Sequence, residues 1–270
     1  MSAPVDGLAS KNPIVVLARS LLGIWTWLVG LVGLMLGSAG AVLTMPFLSH
    51  EQRHQLFLRR AMGWNVYITF SSVKIVYDPG FDPKRTSVFM QNHVSWIDGQ
   101  LACIAIPHAF CGLFNYWHYR VPGYGWIMWL ARGIRVFPRS QGRTAEITAQ
   151  AKDRVAMGIS ILAFPEGHRT RDGKIGPHKR GTYFMARDAG LPVVPLCVRG
   201  LYGVNRKGTW QFWPGRIVVY VGAQMETAGL NDEQIGELAD RMRAVHVDFC
   251  DRGILPESGK HLLPAEMLAS

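Results

Sequence analysis

Three short segments of this 270-residue chain hold the side chains best suited to chemistry. Asn92-His93-Val94-Ser95-Trp96-Ile97-Asp98 pairs an imidazole with a carboxylate five positions later. Phe137-Pro138-Arg139 offers a guanidinium, and Phe164-Pro165-Glu166-Gly167-His168-Arg169 offers a carboxylate and a second guanidinium. An Asp bonded to one ring nitrogen of a histidine fixes the tautomer and makes the other nitrogen a better base. Residues on one helical face are three or four apart, so an offset of five does not suit a straight helix. It suits a His93 in a turn and an Asp98 in the first turn of the next helix, with the carboxylate folded back. No activated Ser or Cys accompanies the pair, so such a base would act on a hydroxyl of the substrate itself. Taken alone, the spacing also fits a capping aspartate beside an ordinary hydrogen-bonded histidine. Arg139 and Arg169 suit a phosphate or carboxylate, because guanidinium grips planar oxyanions with two parallel bonds. Either one in isolation reads as a surface cation. Glu166 is expected to anchor a substrate hydroxyl or to hold Arg169, and Gly167 to permit close backbone approach.

These segments must be positioned by something regular. Apolar runs predict strands at 73–77, 86–91, 108–113, 134–137, 159–164, 194–199 and 216–222. Helical patterns lie near 96–105, 123–132, 142–157, 179–189 and 231–251. Alternation of strands and helices implies an α/β fold, a mainly parallel sheet flanked by helices. In such sheets ligands bind beyond the carboxyl ends of the strands. Each chemical segment begins where one predicted strand ends, so the pattern brings His93, Asp98, Arg139, Glu166 and Arg169 toward one edge.

The N-terminus differs in kind. Residues 20–49 carry no acidic or basic side chain, and the run exceeds the ~20 residues that a bilayer crossing needs. Gly33, Gly37, Ser38, Ala39 and Gly40 form a small-residue patch that permits close helix approach or a bend. Residues 51–72 then mix apolar groups with Arg53, Arg59 and Arg60, as in a helix lying at a membrane interface. A cleavable signal ending near Ala39-Gly40-Ala41 fits less well, since apolar character continues to Leu48. The expected organisation is a membrane-associated helical arm over 1–72 and an α/β domain over 73–270. Lys11, Arg19, Arg53, Arg59 and Arg60 are expected to face anionic headgroups.

Composition agrees and excludes several classes. Charged residues make up 18% and apolar ones 49%, against roughly 25% charged in an ordinary soluble domain, which excludes disorder. The net charge is nevertheless +10, which calls for nucleic acid or an anionic membrane. No nucleic-acid-binding module is recognisable, and nucleic acid leaves the apolar arm unexplained. Cys103, Cys111, Cys197 and Cys250 form no C-x-x-C pair, so buried reduced thiols are expected and no metal. Trp117, Trp126 and Trp129 read equally as an interfacial belt or as core, and Lys179-Arg180-Gly181 as a phosphate contact or a solvated turn.

Asn92-His93 with Asp98, Phe137 with Arg139, Phe164-Pro165-Glu166-Gly167 with Arg169, and Val193-Val194-Pro195 resemble, in order and spacing, the four motifs of glycerolipid acyltransferases. The resemblance spans about residues 86–200 and is closest to the 1-acylglycerol-3-phosphate acyltransferase type. It implies that His93 and Asp98 are the catalytic dyad. It also implies that Arg139, Glu166, Gly167 and Arg169 bind the glycerol phosphate. The implied reaction moves a fatty acyl group from acyl-carrier protein or acyl-CoA to a lysophospholipid hydroxyl, with no cofactor. The implied place is the inner membrane, with the α/β domain facing the cytoplasm. His168 and Thr170 depart from the usual third motif, and Asn115-Tyr116-Trp117 stands where many members carry a lysine. Those departures leave another lysolipid, such as a lyso-ornithine lipid, as an alternative acceptor, with His118, Arg120 or Lys179-Arg180 as compensating cations. A non-catalytic membrane-docking protein is the alternative of another class.

Overall fold

A computed structural model describes residues 7–121, 124–136 and 143–256, without the side chains of Tyr124, Arg143 and Thr144. The chain opens with α1 (Pro13–Leu43), followed by α2 (His50–Arg53), a π-helical turn (His54–Leu58) and α3 (Arg59–Tyr67). Strands β1 (Ser72–Tyr77) and β2 (Val88–Gln91) precede α4 (Asp98–Ala105), β3 (Phe110–Asn115), α5 (Tyr124–Leu130) and β4 (Ile134–Val136). Then come α6 (Arg143–Ala156), β5 (Ser160–Ala163), α7 (Gly181–Asp188), β6 (Val193–Arg199) and the short α8 (Leu201–Val204). β7 (Arg216–Val221) and α9 (Asp232–His246) follow, and α9 runs on into a second π-helical turn (Val247–Arg252).

The seven strands form one sheet in the order β1-β7-β6-β2-β5-β3-β4. Every neighbouring pair is parallel except β6 with β7. The mainly parallel sheet expected from alternation is therefore present, with one reversal. It occurs where β6 reaches β7 through only α8 and a loop, too little to make a full crossover. Central strands are buried on both faces, as their unbroken apolar runs require: Val88, Phe89, Met90 and Gln91 of β2 are all buried. Phe89 belongs with Leu101, Ile106, Val194 and Leu196 to the core on one face. Val88 and Met90 belong with Ala151, Met185 and Leu238 to the core on the other.

Helix α1 is 31 residues long and runs without interruption through the small-residue patch. Its buried residues are Gly23, Thr26, Gly30, Leu34, Ser38 and Ala41, a stripe at helical spacing made almost wholly of small side chains. Leu17, Leu21, Leu28, Val32, Leu36 and Leu43 point outward and are exposed. A helix in water does the reverse, burying its large apolar residues. The glycines serve close approach: a Cβ on Gly37 would collide with the Ala61 methyl of α3, and one on Gly40 with the Phe57 ring.

Two cations of this region do other work than facing headgroups. Arg19 donates to the carbonyls of Gly7, Leu8 and Ser10, tying down the segment before α1. Arg59 donates to Ile104 and Pro107 oxygens at the end of α4, where helix carbonyls lack partners. Both have one cause: a guanidinium next to backbone carbonyls bonds them in preference to solvent. Lys11 and Arg60 are exposed. The cysteines are reduced and Cys103, Cys111 and Cys197 are buried.

Candidate active site

The site is built on the turn between β2 and α4. Leaving the sheet at Gln91, the chain first locks onto the neighbouring strand. The Asn92 side chain donates to the Val198 carbonyl (2.9 Å) and accepts from the Val198 N–H (2.8 Å), imitating a strand partner. His93 follows, its backbone N–H donating to Glu166 Oε1 (2.8 Å) and its carbonyl accepting from the Thr170 N–H (2.8 Å). Asp98 is the first residue of α4 and is 1% exposed. Its Oδ2 lies 2.6 Å from His93 Nδ1 and also accepts from the N–H groups of Val94 (2.7 Å) and Ser95 (2.8 Å). One carboxylate oxygen thus closes the turn and fixes the ring.

A carboxylate only accepts, so His93 Nδ1 carries the proton and Nε2 is left with a lone pair. The ring stacks on Phe164, centroids 4.0 Å apart, and the side chain keeps 24% of its surface exposed. An oriented imidazole with one open basic nitrogen can take a proton from a hydroxyl placed beside it. Among the described residues no group of three or more His, Cys, Asp or Glu side chains could hold a metal ion.

Glu166, at the exit of β5, is 3% exposed. Its two oxygens accept from the backbone N–H groups of His93 and Gly176 (3.0 Å), so it braces two loops rather than standing open. Burial pushes its carboxyl above the ordinary range, and the two amide donors pull it back. Gly167 adopts φ +73°, and the Lys179 side chain lies where its Cβ would be. Thr170, one of the departures from the usual motif, bonds Asp172 Oδ1 and receives the Gly173 N–H, closing the loop on itself. The Arg169 guanidinium lies over the Trp96 ring, 4.1 Å from its centroid. The other departure, His168, is exposed.

The structure therefore brings together His93, Asp98, Glu166 and Arg169 around the exits of β2 and β5. Arg139 lies outside the described residues. Lys179, which the sequence offered as a phosphate contact, a compensating cation or part of a solvated turn, sits against Gly167, and its N–H donates to the Pro165 carbonyl (2.8 Å). Asn205 had no sequence signal at all. It accepts from Ser95 Oγ (2.6 Å) across 110 residues and ties the turn to the segment after α8. Trp96 also meets Trp27 of α1 edge-on, centroids 6.2 Å apart, so the arm packs directly on the site.

Residues 73–199 match the acyltransferase family model. They resemble the domain of glycerolipid acyltransferases. The chain is 30% identical over 181 residues to a 1-acyl-sn-glycerol-3-phosphate acyltransferase of Limnanthes douglasii, covering 66% of this chain and 62% of that protein. It is 35% identical over 127 residues to the Pseudomonas aeruginosa enzyme of the same name, covering 46% and 48%. The chain thus spans about half to three-fifths of the curated relatives it matches. The crystal structure of the 1-acyl-sn-glycerophosphate acyltransferase PlsC from Thermotoga maritima shares its fold at a TM-score of 0.72, with 20% identity, over 85% of this chain and 93% of that one.

Proposed function

We propose that this acyltransferase moves a fatty acyl group from an acyl thioester to the free hydroxyl of 1-acylglycerol-3-phosphate, giving phosphatidic acid. The observation that carries the reading is the 2.6 Å bond from His93 Nδ1 to a buried Asp98, which leaves Nε2 basic and open. His93 Nε2 takes the hydroxyl proton as the oxygen attacks the thioester carbonyl. The tetrahedral intermediate then collapses, and the departing thiolate receives that proton from the imidazolium. General-base help of this kind contributes about 10² to 10⁴ in rate. Asp98 stabilises the imidazolium, Glu166 positions the His93 backbone, and Arg169 with Arg139 takes the acceptor phosphate. The donor is acyl-carrier protein or acyl-CoA, and no cofactor takes part.

The outward apolar face of α1 supports insertion of the 1–72 arm in the cytoplasmic membrane, with the 73–270 domain on the cytoplasmic side. A second acceptor class has one specific observation behind it. Asn115-Tyr116-Trp117 stands where many family members carry a lysine, and the nearby cation is Arg120, held over the Trp117 ring 4.9 Å from its centroid. The test is transfer of labelled acyl groups from each donor to a panel of lysolipids. Lysophosphatidic acid is expected to be the best acceptor, and His93→Ala to abolish transfer. Normal transfer by His93→Ala removes the assigned base. Transfer only to a phosphate-free lysolipid moves the protein to the second class.

A further inference from the structure

At the free edge of the sheet, beside β4, the α1–α2 loop, α5 and α6 enclose a cleft of about 540 Å³. Arg53, Arg132, Arg135 and Arg154 line it together with His50, and Glu146 is the one lining carboxylate among the described residues. The arginines are held in place by the protein. Arg53 Nε donates to the Leu48 carbonyl (3.2 Å), Arg154 Nε donates to the Arg132 carbonyl (2.6 Å), and Arg135 lies over the Tyr119 ring. Asp153 takes one edge of Arg154 from the solvent side. Four cations gathered around one carboxylate repel one another, and an anion seated between them relieves that repulsion. Guanidinium forks are the side chains best shaped for phosphate.

The rim of the cleft is apolar. Met45 and Trp129 line it, Trp129 is 58% exposed, and Leu43 at the end of α1 and Phe47 in the α1–α2 loop are 74% and 82% exposed. A soluble anion has no use for such a rim, whereas a phospholipid carries phosphate and hydrocarbon in one molecule. The outward apolar face of α1 ends at this rim, so the cleft opens where a membrane surface would meet the protein. It shares no residue with the His93, Asp98 and Glu166 cluster. We propose that this cleft binds the phosphate headgroup of an anionic membrane phospholipid, with its chains over Met45, Phe47 and Trp129. It is a docking site separate from the acceptor site.

The test is calorimetric titration of the full chain in detergent with dihexanoyl phosphatidylglycerol, dihexanoyl phosphatidylcholine and inorganic phosphate. The anionic lipid is expected to bind about tenfold or more tightly than either of the others, the contribution of two basic side chains at a membrane surface. Arg132→Gln/Arg135→Gln loses that margin, while His93→Ala keeps it. Glu146→Gln, which removes the opposing charge, tightens binding, so the proposal does not depend on a variant that weakens the fold. Equal affinity for both lipids overturns it. Inorganic phosphate binding as tightly as the lipid makes the cleft a free-anion site and also overturns it. Loss of lipid binding in His93→Ala but not in the arginine variant assigns the signal to the acceptor site. Tight binding of acyl-carrier protein, lost in the arginine variant with no lipid discrimination, replaces the lipid by a protein partner.

Discussion

The β2–α4 turn and helix α1 meet at Trp96 and Trp27, yet they are held by opposite means. The turn is held by polar groups aimed at one another: one Asp98 oxygen with three partners, the Asn92 amide on β6, and Glu166 across two loops. The protein-facing side of α1 is held by the absence of side chains, with Gly23, Gly30, Gly37 and Gly40 letting neighbours approach. Direction is what the first needs, because a base works only when its open nitrogen is fixed. Area is what the second needs, because dispersion between close backbones grows with contact and lacks direction. A substitution that preserves shape should therefore wreck the turn and spare α1, while one that preserves polarity should do the reverse.

Asp98→Asn is the largest test, since it keeps the shape and removes the charge. It is expected to lower kcat by about 10³ to 10⁴ with an unchanged circular dichroism spectrum, as when a histidine is left in the wrong tautomer. A loss of less than tenfold, roughly 1.4 kcal/mol, means the turn is not directional in the sense claimed. Asn92→Ala comes next. It strands the buried N–H of Val198 and leaves its C=O only the Cys250 thiol as donor, for an expected loss of about 1–3 kcal/mol in denaturant unfolding. Gly37→Leu forces a side chain into Ala61 and should cost about 1–3 kcal/mol, read as a lower melting temperature in detergent. Its neighbour Leu36→Ala, on the outward face and 69% exposed, should leave that temperature unchanged.

The most gradual effect concerns pH. Burial pushes the His54 imidazole, behind Phe110, down to about 3, and burial with His246 nearby pushes His178 down to about 3. The unfolded chain binds those protons near 6.5, and the folded chain refuses them until about 3. Their contribution to stability is complete above pH 6.5 and is lost as pH falls through that interval. The slope is at most about 1.4 kcal/mol per pH unit for each histidine. Melting temperature should fall steadily across that range, and His54→Gln should make the fall shallower.

What the sequence made legible follows the same division. The His93/Asp98 geometry could be read because both ends of the bond lie within five residues, where a turn into a helix leaves few alternatives. The strands could be read because strands buried on both faces must be apolar throughout. Asn205 on Ser95 and Asn92 on Val198 could not, since each depends on a register more than a hundred residues away. Nor could the reversal at β7, because alternation of elements says nothing of direction. The apolarity of α1 was plain in its composition. Which side its leucines faced was not, because hydroxyl residues such as Thr26 and Ser38 are too few and too weakly polar to mark a face.

The Trp27–Trp96 contact has a kinetic consequence. Trp27 falls near the middle of the 31-residue α1, so the β2–α4 turn stands alongside that helix rather than beyond its end. On the proposed function, with α1 in lipid, an acceptor is expected to reach His93 by lateral diffusion without entering bulk water. The meaningful substrate variable is then mole fraction in the bilayer. Adding inert lipid at a fixed total amount of acceptor should slow the reaction, as dilution does in two dimensions.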